Sequence, residues 1–581
     1  MAGCEHGEGV MAMMRGERTR GSTGLRRAIT LLLAVGAALV AAPVLFLPTT
    51  AWAKPDPQPP TTPATPYVSG FLSTNGPAPS GSTGLREPGI YDSDGRFVLM
   101  HGVNAVYKHP PYELFVAPGK PWNFDDSDAT RIAKLGLNMV RVGVLWKGIE
   151  PGTAGVNNPA ICTPGQPGDP HQWNQAVANQ YVARLVQTVN LLGRYHIYSL
   201  IDMHQDVYSE RFKGEGAPDW AVCTDRNPIK TLPGRWSNNY SSPALNAAFN
   251  HFWKNDVVGN LQGEYDRSSA AIASALADNP WVLGYDPINE PFSTSINPVP
   301  KKAVDEELQC FYTGSANPGT FGQSNTPVTC PPNVPAKGLI PTVQAIDSRH
   351  ALFLEPSIFE DKGKPNFLGK IPYPNLVLNF HVYCGARSPV TGNPYNESNC
   401  FSEVDRHFLR RATQTVLNAS ALQPDGVPLF ISEFGATQSF NLVATATSEA
   451  NQLYVGWAYW SWKYYNDPTG SSAEALVGSS GKLSPQAKAL DQTYPMAVAG
   501  TLTQWVSGVR TPRLFIKYVA DPRITAPTLI RVPVATRFTN GYCADVTGGT
   551  VISANDAPIL MIKNPPQTRT ITVTVFGSDC D

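Results

Sequence analysis

Short apolar runs alternate with helical patterns between residues 88 and 495. Within one such pattern, Gln172–Leu192, apolar residues recur at helical spacing. This alternation is typical of strand–helix units on a parallel sheet. Eight runs qualify as strands, and no Gly-x-Gly-x-x-Gly motif follows the first, so we predict an α/β chain with a (β/α)8 TIM barrel over 88–495. The strand candidates are Phe97–Asn104, Met139–Leu145, Tyr198–Met203, Val282–Pro287, Leu352–Glu355, Leu376–His381, Leu429–Glu433 and Gly456–Ser461.

The pattern changes after residue 495. Leu514–Val519, Thr528–Val532 and Ile571–Val575 are β-branched runs that are interrupted by Pro, Gly and Asp and have no helical period. They predict a small antiparallel β-sandwich domain over 496–581. Such a domain can bind carbohydrate or lipid, or it can brace the barrel. Its runs show no strong pattern of exposed aromatic residues, which favours the bracing role.

The N-terminal segment has the features of a secretory signal. Basic residues precede the apolar run Ala28–Leu47, and Ala51-Trp52-Ala53 places small residues at the positions that a signal peptidase reads. A permanent transmembrane anchor is the alternative, because the run is long enough to span a bilayer. The Ala-x-Ala site and the Pro-rich sequence behind it favour cleavage. We therefore predict a signal peptide over 1–53, a Pro/Thr-rich linker over 54–87, and a secreted, extracellular protein that can associate with the cell envelope.

Nine cysteines are present, and eight of them follow the predicted signal peptide. An even number in an exported chain predicts disulfides, although the sequence leaves their connectivity open. No Cys-x-x-Cys pair suggests a zinc site, and the net charge of −1 offers no basic surface for nucleic acid. We expect no metal, no cofactor, no nucleic-acid partner and a monomeric protein. Proximity along the chain suggests the pairs Cys310–Cys330, Cys384–Cys400, Cys543–Cys580 and Cys162–Cys223.

Two apolar runs each end at a glutamate. Glu290 closes one and is followed by Pro291, and Glu433 closes another with Gly435 close behind. Catalytic carboxylates of a parallel barrel lie at such strand ends, on the active-site face. Two carboxylates on opposite sides of one cleft are what glycoside hydrolysis requires. Glu290 and Glu433 are therefore the candidate catalytic residues.

Further polar residues lie near the strand ends. Asn289 precedes Glu290, and its amide can hydrogen-bond a sugar hydroxyl. His381 and Tyr383 alternate onto one face, where the phenol can hold the carboxylate of Glu433 ionised. Arg141 is a charge inside an apolar strand and needs a carboxylate partner, for which Glu433 is the natural candidate.

The third and eighth strand candidates supply sugar-binding side chains. His204 and Asp206 lie in a polar run that is expensive to bury, so we place them at the rim of the cleft. A metal site is the competing idea, but the two residues supply only two ligands and no third lies nearby in sequence. Trp460 ends the eighth strand and can stack on a sugar face, although the sequence does not separate it from Trp462 in this role.

Together these runs resemble the retaining β-glycosidases of glycoside hydrolase family 5, and in particular the endoglycoceramidases. The likeness is carried by Leu200–Ser209 at the third strand, Gly284–Phe292 at the fourth, and the added small β-domain. It implies cleavage of the bond between glycan and ceramide, with Glu290 as acid/base and Glu433 as nucleophile. It also implies that a set of polar and aromatic residues lines the sugar subsite next to that bond. This set comprises Lys108, His204, Asp206, Asn289, Tyr383 and Trp460.

The resemblance implies a glycosphingolipid substrate presented at a membrane or micelle surface. A family 5 polysaccharide hydrolase, either a β-glucanase or a mannanase, is the first alternative. A non-catalytic carbohydrate-binding protein of the cell envelope is the second. Residues 210–242 and 296–336 are long Cys-containing loops that leave the choice of glycolipid open.

Overall fold

A computed structural model describes residues 67–74, 88–152, 173–233, 236–257, 260–292, 303–321, 326–358, 368–383, 426–478 and 480–577. Eight parallel strands form a closed barrel, in which each strand pairs with its neighbours in chain order and the eighth pairs with the first. The predicted (β/α)8 barrel is therefore confirmed. The first to eighth barrel strands are His101–Ala105, Met139–Val144, Tyr198–Met203, Val282–Asp286, Ala351–Leu354, Leu376–Val382, Leu429–Gly435 and Gly456–Trp460.

The helices follow from amphipathic patterns and capping residues. The helix that begins at Asp126 is capped by Asp125, whose side chain accepts from the Ser127 N–H, while Asp128 accepts from the Asp125 N–H. In the described ranges, none of the helices combines the length and apolar character needed to cross a membrane. The α-helices span Asp126–Lys134, Trp146–Ile149, Gln175–Arg194, Pro243–Lys254, Leu261–Leu276, Ala303–Thr313, Leu339–Gln344, Phe440–Gln452 and Ala487–Leu490. Short 3₁₀ helices span Glu210–Phe212, Asp219–Ala221 and Trp236–Ser241.

Two antiparallel sheets form the β-domain, as predicted, and their inward residues share one apolar core. The six-stranded sheet has the order Ile90–Tyr91, Phe97–Val98, Tyr494–Val498, Thr528–Arg531, Ile559–Lys563, Thr550–Val551. The four-stranded sheet has the order Gly500–Ser507, Leu514–Ala520, Thr570–Gly577, Tyr542–Thr547. A separate hairpin pairs Thr320–Phe321 with Thr326–Pro327.

The strand predicted at Phe97–Asn104 is wrong in its first half. Phe97 and Val98 pair with Val498 and Ala497 of the six-stranded sheet, whereas the barrel strand begins at His101. The residues between these two strands, Leu99 and Met100, are themselves buried. The hydrophobic pattern therefore contains no polar break between the two strands. Residues 90–98 belong to the β-domain sheet although they precede the barrel.

Part of the predicted linker is also a packed segment. Leu72 is fully buried, and the Thr74 N–H donates to Asn375 Oδ1 at 3.0 Å. The ring of Tyr67 stacks on His196 with the centroids 3.8 Å apart. The Pro/Thr composition that predicted the linker lies mostly before residue 67, outside the described residues, as does the predicted signal peptide.

The β-domain packs under the N-terminal ends of the barrel strands. A single apolar cluster joins barrel residues such as Met139 and Phe430 to Ile516 and Leu529 of the two sheets. The His101 ring, at the start of the first barrel strand, lies between two aromatic rings, with centroid distances of 4.1 Å to Trp457 and 3.9 Å to Tyr494. This packing supports the bracing role.

One of the suggested disulfides is present between described residues. Cys310 and Cys330 are bonded, with Cα atoms 5.5 Å apart. Cys223 and Cys543 are also disulfide-bonded. Their suggested partners lie outside the described residues, and so do both members of the pair suggested at 384 and 400.

Candidate active site

The two predicted catalytic glutamates meet at the C-terminal end of the barrel. Glu290 follows the fourth barrel strand and Glu433 lies in the seventh. Both side chains are buried, and one carboxylate oxygen of each lies within 4.8 Å of the other. A separation of about 5–5.5 Å between carboxyl groups is typical of retaining glycosidases, and inverting enzymes need a wider gap for water. The arrangement therefore suits direct attack on a sugar ring.

The backbone of Glu290 is in an uncommon conformation that its neighbours hold in place. Its φ is +41°, in the left-handed region that residues other than glycine rarely adopt. Its N–H donates to Glu355 Oε2 at 2.8 Å, and its carbonyl accepts from Gln205 Nε2 at 3.0 Å. Contacts to the peptide units on both sides of its Cα therefore hold the backbone from which the Glu290 side chain projects.

Glu433 receives hydrogen bonds on both oxygens. The Tyr383 phenol donates to Oε1, as the alternation of residues 381 and 383 predicts, and Arg141 Nη1 donates to Oε2 at 3.1 Å. Burial raises the pKa of Glu433 to about 7, whereas His381 and Arg141 act to lower it. Donors that point at both oxygens stabilise the ionised form that a nucleophile requires.

Arg141 is fully buried and contacts four carboxylates. Its predicted pair with Glu433 is present, and Nη2 also lies 3.0 Å from Asp202, 2.8 Å from Asp286 and 3.0 Å from Glu355. Sequence reasoning missed these last three partners. Glu355 ends the apolar run Ala351–Leu354 and precedes a proline, which is the same signal that identified Glu290.

His381 lies between two carboxylates. Its Nδ1 is 2.9 Å from Glu290 Oε1 and its Nε2 is 3.0 Å from Glu355 Oε1. The sequence grouped His381 with Glu433, but Nδ1 is 3.9 Å from that carboxylate, so the closer partner is Glu290. Although burial acts in the opposite direction, Glu355, Glu433 and Glu290 hold the pKa of His381 well above its usual range.

A second charged cluster surrounds the buried side chain of Lys108. The ammonium lies 2.6 Å from Asp206, 3.0 Å from Glu215 and 3.2 Å from Asp467, and it donates to the Thr469 hydroxyl at 2.7 Å. Although burial opposes it, these carboxylates hold the pKa of Lys108 well above its usual range. Lys108 and Asp206 were predicted, whereas the other three residues come from distant loops that carry no motif.

Trp460, and not Trp462, faces this cluster. The Lys108 ammonium lies 4.7 Å from the centroid of the Trp460 ring, and the His204 ring stacks on the same indole at 5.4 Å. Trp462 is fully buried, and its N–H donates to Asp128 at 3.0 Å. The positions of the two rings therefore favour Trp460 in the role that the sequence left open.

His204 and Asn289 connect the two clusters. His204 Nδ1 lies 2.8 Å from Asp202, and this carboxylate, although burial opposes it, raises the pKa of His204 to about 9. Asn289 Oδ1 accepts from Arg141 at 2.9 Å, and its amide nitrogen donates to the Gln205 carbonyl at 3.0 Å. The predicted site residues thus form one continuous polar network in the described part of the chain.

The charged groups do not suit a metal ion. His204, Asp206 and Glu215 place possible ligand atoms within 4.8 Å of one another, so the fold supplies the third ligand that the sequence lacked. However, the Lys108 ammonium already lies against both carboxylates, and its positive charge repels a divalent cation. In the group around Glu290 and Glu433, the His381 ring favours the protonated form, which cannot ligate a metal.

The chain matches the family model for cellulase (glycosyl hydrolase family 5) over residues 105–466, and the model for the glycoside hydrolase family 5 C-terminal domain over 492–575. The endoglycoceramidase of Cyanea nozakii is 26% identical over 487 residues, which are 79% of this chain and 85% of that protein. Endoglycoceramidase I of Rhodococcus hoagii (strain 103S) is 25% identical over 509 residues, 84% of this chain and 85% of that protein.

Among solved structures, endo-glycoceramidase II from Rhodococcus sp. in its ganglioside GM3 complex has the same fold. It superimposes with a TM-score of 0.65 at 23% identity and covers 85% of this chain and 100% of that chain. The family match spans more than half of the sequence and includes both glutamates. The chain is therefore a glycosidase that belongs to glycoside hydrolase family 5.

Proposed function

We propose that the chain hydrolyses the β-glycosidic bond between oligosaccharide and ceramide in glycosphingolipids, with retention of configuration. The observation that carries the reaction type is the approach of Glu290 and Glu433 oxygens to within 4.8 Å. The substrate class is supported by the two relatives named endoglycoceramidase, each of which aligns with about four-fifths of this chain, and by the GM3 complex of the structural neighbour.

In the proposed reaction, Glu433 attacks the anomeric carbon and forms a glycosyl ester. Glu290 donates its proton to the oxygen that departs with ceramide, so the bond between the sugar and that oxygen breaks as the ester forms. Glu290, now ionised, then takes a proton from water, and the resulting nucleophile attacks the same carbon and releases Glu433. Two inversions at one carbon leave the β-configuration unchanged.

The Lys108 cluster is proposed to bind the sugar that precedes the cleaved bond. Lys108, His204 and Asp206 present charged donors and acceptors to sugar hydroxyls, and the Trp460 indole offers a flat surface to an apolar sugar face. Asn289 is proposed to contact the 2-hydroxyl beside Glu433. Arg141 and Tyr383 are proposed to hold the nucleophile in position.

Location and assembly are also proposals. We propose a secreted monomer that acts on lipid presented by a membrane or micelle, because ceramide exposes hydrocarbon that water solvates poorly. Export is supported by the disulfide-bonded Cys223, Cys310, Cys330 and Cys543, since disulfides persist in oxidising compartments.

The test is to incubate the purified chain with defined glycosphingolipids in detergent micelles and to identify the products by mass spectrometry. We expect free ceramide and an intact oligosaccharide, with the β-anomer appearing first by NMR. Glu433→Gln should lose turnover and still bind substrate. Cleavage of soluble glucan or mannan without release of ceramide would reject the proposed substrate, and initial release of the α-anomer would reject double displacement.

A further inference from the structure

Glu355 contacts residues that hold both of the candidate catalytic glutamates. It follows the fifth barrel strand, and its side chain is buried. Its Oε2 accepts the backbone N–H of Glu290 at 2.8 Å, while its Oε1 lies 3.0 Å from His381 Nε2 and 3.0 Å from Arg141 Nη2. The same carboxylate thus contacts the peptide unit of Glu290, the histidine that touches the Glu290 carboxyl, and the arginine that touches Glu433.

We infer that Glu355 is a positioning residue that sets both the orientation and the proton placement of the acid/base Glu290. This inference rests on the proposed function, in which Glu290 donates a proton to the departing oxygen. It concerns a residue that touches neither the sugar nor the leaving group in that proposal. Glu355 acts instead through the Glu290 backbone and through His381.

The first effect is on backbone geometry. Glu290 has a φ of +41°, a conformation that is unfavourable for a residue other than glycine and persists only where the surroundings enforce it. A charged acceptor such as the Glu355 carboxylate makes a stronger hydrogen bond to an N–H than a neutral acceptor does. The contact at 2.8 Å therefore holds the peptide unit from which the Glu290 side chain projects.

The second effect is on the position of a proton. Although burial acts in the opposite direction, His381 and Arg141 lower the pKa of Glu355, so its carboxylate is ionised. An ionised carboxylate 3.0 Å from Nε2 favours a proton on that nitrogen. When His381 is doubly protonated, Nδ1–H donates to Oε1 of Glu290, and the proton that Glu290 transfers must then reside on its other oxygen.

A purely structural role for Glu355 makes a different prediction. Loss of a buried partner of Arg141 would lower activity toward every substrate to the same extent. Loss of acid catalysis lowers activity most for substrates whose leaving group needs a proton. The dependence of rate on leaving-group pKa therefore distinguishes the two roles.

The test compares Glu355→Gln with wild type on a series of aryl β-glycosides with leaving groups of graded pKa, from dinitrophenol to unsubstituted phenol. We expect kcat/KM of Glu355→Gln to be within a few-fold of wild type for dinitrophenol and lower by about 10²-fold for phenol, because general acid catalysis contributes about 10²–10⁴-fold. The alkaline limb of its pH profile should also shift.

Asp347→Asn is the matched control. Asp347 is a buried carboxylate at the opposite end of the same strand, where it lies 2.5 Å from His350 Nδ1 and accepts from the Tyr285 phenol at 2.6 Å. The ratio of its kcat/KM to that of wild type should be the same for every leaving group in the series. If Glu355→Gln fails to fold, Glu355→Asp keeps the charge but withdraws it from the Glu290 N–H, and the same dependence is expected.

A uniform loss across the series in the folded variant would overturn the inference. An inactive wild type on both aryl glycosides and glycosphingolipids would instead overturn the proposed function. Wild-type cleavage of aryl glycosides without cleavage of glycosphingolipids would reject only the ceramide part of that function. The role of Glu355 can be read from the aryl series in that case.

Discussion

The guanidinium of Arg141 lies 3.1 Å from the carboxylate of Glu433, and both groups are buried. The same guanidinium also contacts Asp202, Asp286 and Glu355. One cation thus offsets part of the negative charge that these buried acids concentrate in the barrel interior. Arg141 therefore supports the stability of the barrel as well as the position of Glu433.

Arg141→Met should lower the free energy of unfolding by about 3–5 kcal/mol, because removal of one partner leaves buried charge uncompensated. The loss should be greater at pH 8 than at pH 5, since the stranded carboxylates can take up protons at the lower pH. Urea denaturation of the variant and of wild type at both pH values measures this loss of stability. A variant as stable as wild type at pH 8 would contradict this account.

The pH dependence of kcat/KM should reflect Glu433. Burial raises the pKa of Glu433 to about 7. In the proposed reaction Glu433 attacks in its ionised form, so activity should increase as the pH rises through about 7. Tyr383→Phe removes a donor to that form and should move the acid limb to higher pH. Tyr208→Phe is the control, because this buried phenol donates to the Ala221 carbonyl instead. An unshifted limb in Tyr383→Phe would show that the phenol does not tune Glu433.

Trp460 and Trp462 should respond differently to substitution. Trp460→Ala should raise KM, because its indole faces the Lys108 cluster. It should also destabilise the fold, because the buried indole packs against Val106 and Leu145. Trp462→Ala should cost about 3–5 kcal/mol of stability, as expected for a fully buried tryptophan. Steady-state kinetics gives the KM of both variants, and urea denaturation gives their stability. A raised KM in Trp462→Ala and an unchanged KM in Trp460→Ala would mean that Trp462 binds the sugar.

The barrel could be predicted from sequence because its strands are short apolar runs that alternate with helical patterns. Phe97–Asn104 failed because two strands of different sheets follow each other through the buried Leu99 and Met100. Sequence spacing carries no information on which sheet a short apolar run will join. That choice depends on partners such as Tyr494–Val498, which lie at the far end of the chain.

The candidate site was predictable where a residue followed a strand in a recognisable run, as Glu290 and Glu433 do. Glu355 carried the same signal but had no motif to distinguish it from an ordinary strand end. Glu215 and Asp467 could not be predicted, because they reach Lys108 from loops whose path depends on the folded barrel. Local patterns thus identify strand-end residues, and tertiary packing decides which loop residues join them.

Glu215 should make stability depend on pH. Burial raises the pKa of Glu215 well above its usual range. The folded chain therefore binds the proton of the Glu215 carboxyl group more tightly than the unfolded chain does. Its contribution is fully present below the ordinary carboxyl pKa of about 4.3 and is lost as the pH rises through the folded-state pKa. Glu215→Gln should therefore gain stability relative to wild type as the pH increases. Parallel pH dependences of the unfolding free energy in the two proteins would contradict this.

The Cys310–Cys330 disulfide should stabilise its loop chiefly by restricting the unfolded chain. The two cysteines are separated by 20 positions in the sequence. Replacing both with Ala should therefore lower the free energy of unfolding by about 3 kcal/mol. Denaturation of the variant and of wild type, both without reductant, measures the difference. An unchanged midpoint would show that this bond does not stabilise the folded protein.

The pairing of Phe97–Val98 with Tyr494–Val498 constrains how the molecule is made. During synthesis the earlier strand leaves the ribosome before the barrel, and its partner leaves after it. The early strand cannot acquire these hydrogen bonds until the entire barrel has been translated, and such long-range pairings form slowly. Completion of the six-stranded sheet is therefore a late step of folding that depends on both ends of the described chain.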